Sequence, residues 1–187
     1  MGERASFGER LSAAVSEYGP LCAGIDPHSA LLASWGLPDT VAGLERFTMT
    51  CVEAFAGSVA CVKPQSAFYE RFGAAGIGVL ERAVAALSGS PTQVLLDVKR
   101  GDIGSTMEAY AQAYLSDDGP LAVDAITVSP YLGYGSLRPA LDLAAQTGRG
   151  VFVLVLTSNP EGREVQHAAT PTGTVAADMV RAITSDN

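Results

Sequence analysis

Histidine, tryptophan and cysteine are scarce in this chain: 187 residues carry two His, one Trp and three Cys. Cys22, Cys51 and Cys61 are odd in number and form no CxxC pair, so neither a disulfide framework nor a zinc site is expected, and they are read as small core residues. His28 and His167 have no acid at a telling spacing, which disfavours a Ser-His-Asp hydrolase. Basic residues are also short: 12 Lys and Arg stand against 20 Asp and Glu, and the net charge of -8 repels a phosphate backbone, so nucleic acid is not expected as a partner. No apolar run approaches the ~18 residues of a membrane span. The amino-terminal stretch holds Glu3, Arg4, Glu9 and Arg10 where a signal peptide would hold an apolar block. The expectation is a cytoplasmic protein with no membrane partner.

What is present is 48% hydrophobic residues with 20 Gly and 10 Pro, enough to bury the core of one domain spanning residues 1–187. Apolar runs at 21–25, 59–62, 93–96, 124–128 and 151–156 predict five strands. Between and after them, helical spacing predicts helices over 38–55, 78–87, 103–115, 137–145 and 174–183, with Asp39 and Thr40 suited to open the first and Gly148 to close the fourth. Strands that are apolar throughout and alternate with helices imply a parallel sheet covered on both faces. Asp26, Lys63, Asp97 with Lys99, Ser129 and Ser158 all fall at the carboxyl ends of these strands. That placement predicts an α/β fold of the (β/α)8 TIM-barrel type, in which those ends converge on one mouth; an open doubly wound sheet gathers ligands only near a switch point. A full barrel takes ~250 residues, so the chain is expected to hold about five to six β/α units, an incomplete barrel.

The segment Asp97-Val98-Lys99-Arg100-Gly101-Asp102 sets two carboxylates around one ammonium. On a regular strand residues i and i+2 share a face, which predicts Asp97 and Lys99 side by side, with the carboxylate favouring the protonated amine. A charged acid beside a carboxylate suits a reaction that creates a carbanion and then quenches it, decarboxylation above all. Taken alone, such a triplet is also what a solvated ion pair in a loop looks like. Lys63, at a strand end, needs a partner if buried.

Five segments carry a resemblance. Gly24-Ile25-Asp26-Pro27, Val62-Lys63-Pro64-Gln65 with Ala67-Phe68-Tyr69-Glu70, Asp97 to Thr106, Ser129-Pro130-Tyr131-Leu132-Gly133, and Leu156-Thr157-Ser158-Asn159-Pro160 resemble the orotidine 5′-phosphate decarboxylase family, in order and at family-like intervals. The match looks nearest to the branch found in mycobacteria and related actinobacteria. It implies a cytoplasmic lyase of pyrimidine biosynthesis that converts orotidine 5′-phosphate to uridine 5′-phosphate and carbon dioxide, with neither metal nor organic cofactor. By that resemblance Lys99 is the proton donor to carbon six of the pyrimidine and Asp97 lies against the substrate carboxylate. Lys63 holds Asp97 and the ribose, Asp26 binds a ribose hydroxyl, and Ser158 meets the pyrimidine. The family pocket is completed across a homodimer, so Asp102, Ile103 and Thr106 are expected to reach the partner's site. The family's phosphate-gripping loops follow later strands than this sequence holds, and Thr184-Ser185-Asp186-Asn187 reads as an exposed tail. The rival readings are a magnesium-dependent sugar-phosphate decarboxylase of the same superfamily and a catalytically weak nucleotide-binding or oligomerisation fragment.

Overall fold

The computed structural model describes residues 4–187, so Glu3, counted above among the amino-terminal charges, lies outside the described residues. The chain opens on a helix absent from the expected elements, α1 (Phe7–Tyr18), although Phe7, Leu11, Ala14 and Tyr18 fall at helical spacing. Its start is also written in Ser6-x-x-Glu9: the Ser6 hydroxyl accepts from the Glu9 N–H at 3.3 Å, and the Glu9 carboxylate accepts from the Ser6 N–H at 2.9 Å. There follow β1 (Cys22–Ile25), α2 (Ser29–Ser34), α3 (Val41–Phe55), β2 (Cys61–Pro64), α4 (Ala67–Glu70), α5 (Gly73–Leu87), β3 (Gln93–Arg100), α6 (Gly104–Leu115), β4 (Ala125–Val128), α7 (Arg138–Thr147) and β5 (Gly150–Val153). Beyond β5 come α8 (Arg163–Gln166), a hairpin of β6 (Ala169–Thr170) with β7 (Gly173–Thr174), and α9 (Val175–Asp186).

Strands β1 to β5 form one parallel sheet in the order of the sequence, as the alternation of strand and helix required. One set of alternate residues, Ile25, Val62, Val94, Leu96, Ile126 and Val128, packs into the main core with Leu44, Phe47, Leu80, Met107 and Leu137 of the covering elements. Each fully buried aliphatic there contributes on the order of 1.5–3 kcal/mol. The opposite face places Cys61, Leu95 and Ala125 in a second cluster, against which Phe7 and Leu11 of α1 pack. Phe7 also meets Phe152 edge-on at 5.8 Å and fills the space beside Gly150, where a Cβ would lie 2.4 Å from its ring. Arg10 fixes α1 to the amino ends of the strands by donating to Gln93 Oε1, Asp124 Oδ1 and the Gly148 carbonyl.

Several expectations need correction. β5 ends at Val153 instead of Leu156, and β1 and β5, each paired on one side, are partly exposed where burial throughout was expected. Cys22 lies exposed on β1, while Cys51 and Cys61 are buried. The fifteen-residue α5 begins at Gly73, ahead of the expected Gly78. Thr40 caps α3, but Asp39 turns to Arg71 and Ser29. Thr184 to Asn187 are exposed as expected, but Thr184 to Asp186 form the last turn of α9, where Asp186 accepts a hydrogen bond from the Tyr134 hydroxyl at 2.7 Å and pairs with Arg138. Gly148 closes α7 in the left-handed region, φ 64°, as expected.

Candidate active site

The charged residues singled out in the sequence meet at the carboxyl ends of β2 and β3. Lys63 alternates with Cys61 along β2, as Asp97 alternates with Leu95 along β3 and Thr127 with Ala125 along β4, so all three side chains leave the same face of the sheet. Asp97 is the hub. Its Oδ1 accepts from Lys99 Nζ at 2.6 Å and from the Thr127 hydroxyl at 2.7 Å; its Oδ2 accepts from Gln65 Nε2 at 2.9 Å and from Lys63 Nζ at 3.2 Å. Only 8% of the Asp97 side chain is exposed, and such burial by itself would favour the neutral acid. The hydrogen bonds from Lys99 and Thr127 and the charge of Lys63 outweigh burial and hold the carboxyl below its usual value.

Asp97 and Lys99 do stand together, but regular alternation is not the reason. Leu96 pairs with Ile126 and Arg100 with Val128, so four steps along β3 match two along β4, and the strand bulges between them. At the bulge Lys99 takes φ 47°, the only left-handed non-glycine among the described residues. Its N–H donates to the Thr127 hydroxyl at 2.9 Å. Arg100 steadies the far side of the bulge through Glu70 at 2.5 Å, whose carboxylate also accepts from the Ser66 hydroxyl at 2.6 Å. Gly101 then runs so close to β4 that a Cβ there would fall 2.3 Å from the Ser129 carbonyl oxygen.

Asp26 follows β1 on the same side: its Oδ2 lies over Gly24, 2.7 Å from where a Cβ would be, and Gly24 is the register partner of Lys63. Among the described residues it makes no ion pair. Asp102 does not join the array within this chain. Its Oδ1 accepts from the Ile103 N–H at 2.8 Å, and Lys99 pairs with Asp97 alone. Ile103 is 63% exposed at the start of α6, and Thr106 is exposed one turn on. Ser158 is exposed in the loop after β5, between Thr157 and Asn159, which line an apolar pocket of about 570 Å3 with Leu154, Val165 and Met179. A second cleft, of about 370 Å3, opens at the opposite end of the strands, where Arg4 and Arg10 pair with Asp124, and Arg149 pairs with Asp117. The charged array of Lys63, Asp97 and Lys99 lies at the other end, the carboxyl ends of the strands. Among the described residues no group of three or more His, Cys, Asp or Glu side chains forms a metal-ligating arrangement.

Sequence reasoning missed Gln65 and Thr127. Gln65 sits inside the recognised Val62-Lys63-Pro64-Gln65 segment and was legible as a polar group beside Lys63. Thr127 is 7% exposed within an apolar strand, where β-branching alone explains a threonine.

A parallel strand-helix succession with charged side chains gathered at the strands' carboxyl ends is the arrangement of a barrel-type α/β chain. A model of the Orotidine 5'-phosphate decarboxylase / HUMPS family matches residues 19–187, and the chain belongs to that family. A Streptomyces coelicolor protein named orotidine 5′-phosphate decarboxylase is 60% identical over 182 residues, covering 97% of this chain and 66% of its own length. A Salinispora arenicola protein of the same name is 62% identical over 175 residues, covering 94% and 63%. The crystal structure of a Streptomyces avermitilis protein, provisionally given that name, matches with a TM-score of 0.97 at 59% identity over 100% of this chain and 66% of that one. Leishmania donovani OMP decarboxylase matches with a TM-score of 0.77 at 31% identity, covering 93% and 63%. The fold is therefore that of the TIM barrel, of which this chain supplies five β/α units, and it spans about two thirds of the length of these relatives.

Proposed function

We propose that this chain carries the proton-delivering half of an orotidine 5′-phosphate decarboxylase site, working in the cytoplasm in pyrimidine biosynthesis without metal or coenzyme. The observation that carries the reading is the alternating row Lys63, Asp97, Lys99, closed by contacts of 3.2 and 2.6 Å at the carboxyl ends of β2 and β3. In the reaction the bond from carbon six to the carboxylate breaks, its electron pair stays on carbon six, and carbon dioxide leaves. Lys99 then gives its proton to carbon six and recovers one from solvent. An ammonium ~3 Å from the developing carbanion, at an effective dielectric of ~20, is worth about 5 kcal/mol, or roughly four powers of ten in rate. Asp97 aims that ammonium through its 2.6 Å contact, and is placed to repel the substrate carboxylate until it departs.

Asp26 and Lys63 would hold the ribose, and Ser158 the pyrimidine. Asp102, which makes no contact with its own Lys99, and the exposed Ile103 and Thr106 would complete the site of a second copy in a homodimer. The names borne by relatives at about 60% identity support this substrate over a sugar phosphate with magnesium. The main core runs through strands and helices from Ile25 to Ala144, which supports treating residues 1–187 as one unit of a barrel domain. Substrate binding energy from a distant phosphate supplies much of the rate in such a reaction. The 187-residue chain should therefore turn over orotidine 5′-phosphate far more slowly than a version extended to its relatives' length. Ultraviolet assay of both tests this: equal kcat/KM would refute the assignment of the phosphate grip to the added part, and inactivity of both would refute the function.

A further inference from the structure

The Thr127 hydroxyl has one hydrogen to give and lone pairs to accept with, and both capacities are used on the array. It donates to Asp97 Oδ1 at 2.7 Å and accepts from the Lys99 N–H at 2.9 Å. The first bond fixes the carboxylate that holds the ammonium. The second fixes the backbone of Lys99 in its left-handed conformation, which a lysine adopts only where its surroundings over-determine it. β4 brings this hydroxyl to the bulge because Val128 pairs with Arg100 two places beyond the Ile126–Leu96 pair, leaving Thr127 opposite the extra residues of β3. Thr127 is 7% exposed, so no water replaces it without a rearrangement of the sheet.

We infer that Thr127 is a positioning residue, tying the Lys99 backbone and the Asp97 carboxylate into one rigid unit so that the Lys99 ammonium points where the proton is needed. The inference rests on the proposed decarboxylation for its kinetic consequence, though not for its geometry. Thr127→Val keeps the shape and removes both hydrogen bonds; Thr127→Ser keeps both and removes a methyl group. In the carboxyl-extended protein, Thr127→Val lowers kcat by about tenfold or more while KM stays within about twofold, because aim in the transition state is lost and ground-state binding is not. Thr127→Ser restores most of kcat.

A second readout needs no turnover. In the 187-residue chain, carbon-13 titration of the Asp97 carboxyl, faced by Lys63, Gln65, Lys99 and Thr127, moves upward in Thr127→Val and stays in place in Thr127→Ser. A valine variant matching wild type in kcat and in titration overturns the inference, and so does a serine variant as impaired as the valine. If wild type fails to decarboxylate orotidine 5′-phosphate while the Asp97 titration moves as stated, the functional proposal falls and the positioning role of Thr127 stands.

Discussion

Replacing Gly101 by Ala puts a methyl carbon 2.3 Å from the Ser129 carbonyl oxygen and 3.3 Å from its carbon, both backbone atoms that cannot rotate aside. An ordinary contact there needs at least ~3.2 Å, so the ends of β3 and β4 must part by close to 1 Å, an overpacking that costs about 1–3 kcal/mol. The Ser129 N–H donates to the Arg100 carbonyl at 2.7 Å just beside the clash, and this bond is the first to stretch. The same movement carries Thr127 away from Asp97 and Lys99, and a misplacement of that size costs about 100-fold in rate. Gly8, in the first turn of α1, has nothing within 4 Å of its missing Cβ, so Gly8→Ala serves as control and should raise stability by up to ~1 kcal/mol. Thermal melts should show Gly101→Ala falling by roughly 2–4 °C for each kcal/mol lost and Gly8→Ala unchanged or higher. The ultraviolet assay on the carboxyl-extended protein should show kcat falling only in Gly101→Ala. A Gly101→Ala protein with wild-type melting and kcat would refute the reasoning that this close approach sets the geometry of the array.

Two further predictions concern charge and assembly. Because the folded-state pKa of Asp97 lies below its unfolded value, the carboxylate contributes stability above the ordinary carboxylate range, and that contribution is lost as pH falls through the depressed folded value. Urea unfolding of wild type and Asp97→Asn should therefore differ at neutral pH and converge as acid carries the Asp97 carboxyl through its depressed folded-state value, and a gap that persists beyond that point would contradict the assigned ion pairs. If Asp102 serves a second copy, mixing inactive Lys99→Ala with inactive Asp102→Asn in the carboxyl-extended protein should restore up to about a quarter of wild-type activity, since random pairing leaves one intact site in half of the dimers. No recovery from mixtures shown to exchange subunits would place Asp102 in its own chain's site.

Much of this structure is legible in the residues, and the failures have physical causes. The runs at Val94-Leu95-Leu96 and Ala125-Ile126-Thr127-Val128 became central strands because continuous apolar residues suit burial on both faces, and the succession of helices forced them parallel. The run at 151–156 stopped early because polar Thr157 to Asn159 bond among themselves and with Gln166 instead of with a neighbouring strand. Helix α1 was passed over although it was legible twice, in the capping pair Ser6 and Glu9 and in Phe7, Leu11, Ala14 and Tyr18 at helical spacing. Within the site, Lys63, Asp97 and Lys99 were read correctly as neighbours, but the bulge that unites the last two depends on register against β4, which no local pattern reveals. Asp102 bonds the Ile103 N–H and does not touch Lys99 within this chain, and its expected place in a second copy's site is what subunit mixing tests.

The central claim is that Lys99 delivers the proton. Lys99→Ala in the carboxyl-extended protein leaves Asp97 still bonded to Lys63, Gln65 and Thr127, so the fold and the rest of the site should persist. The account predicts an unchanged melting curve within a few degrees together with loss of at least about 10,000-fold in the ultraviolet change that follows orotidine 5′-phosphate consumption. A well-folded Lys99→Ala protein that still consumes the substrate at a rate near wild type would contradict it.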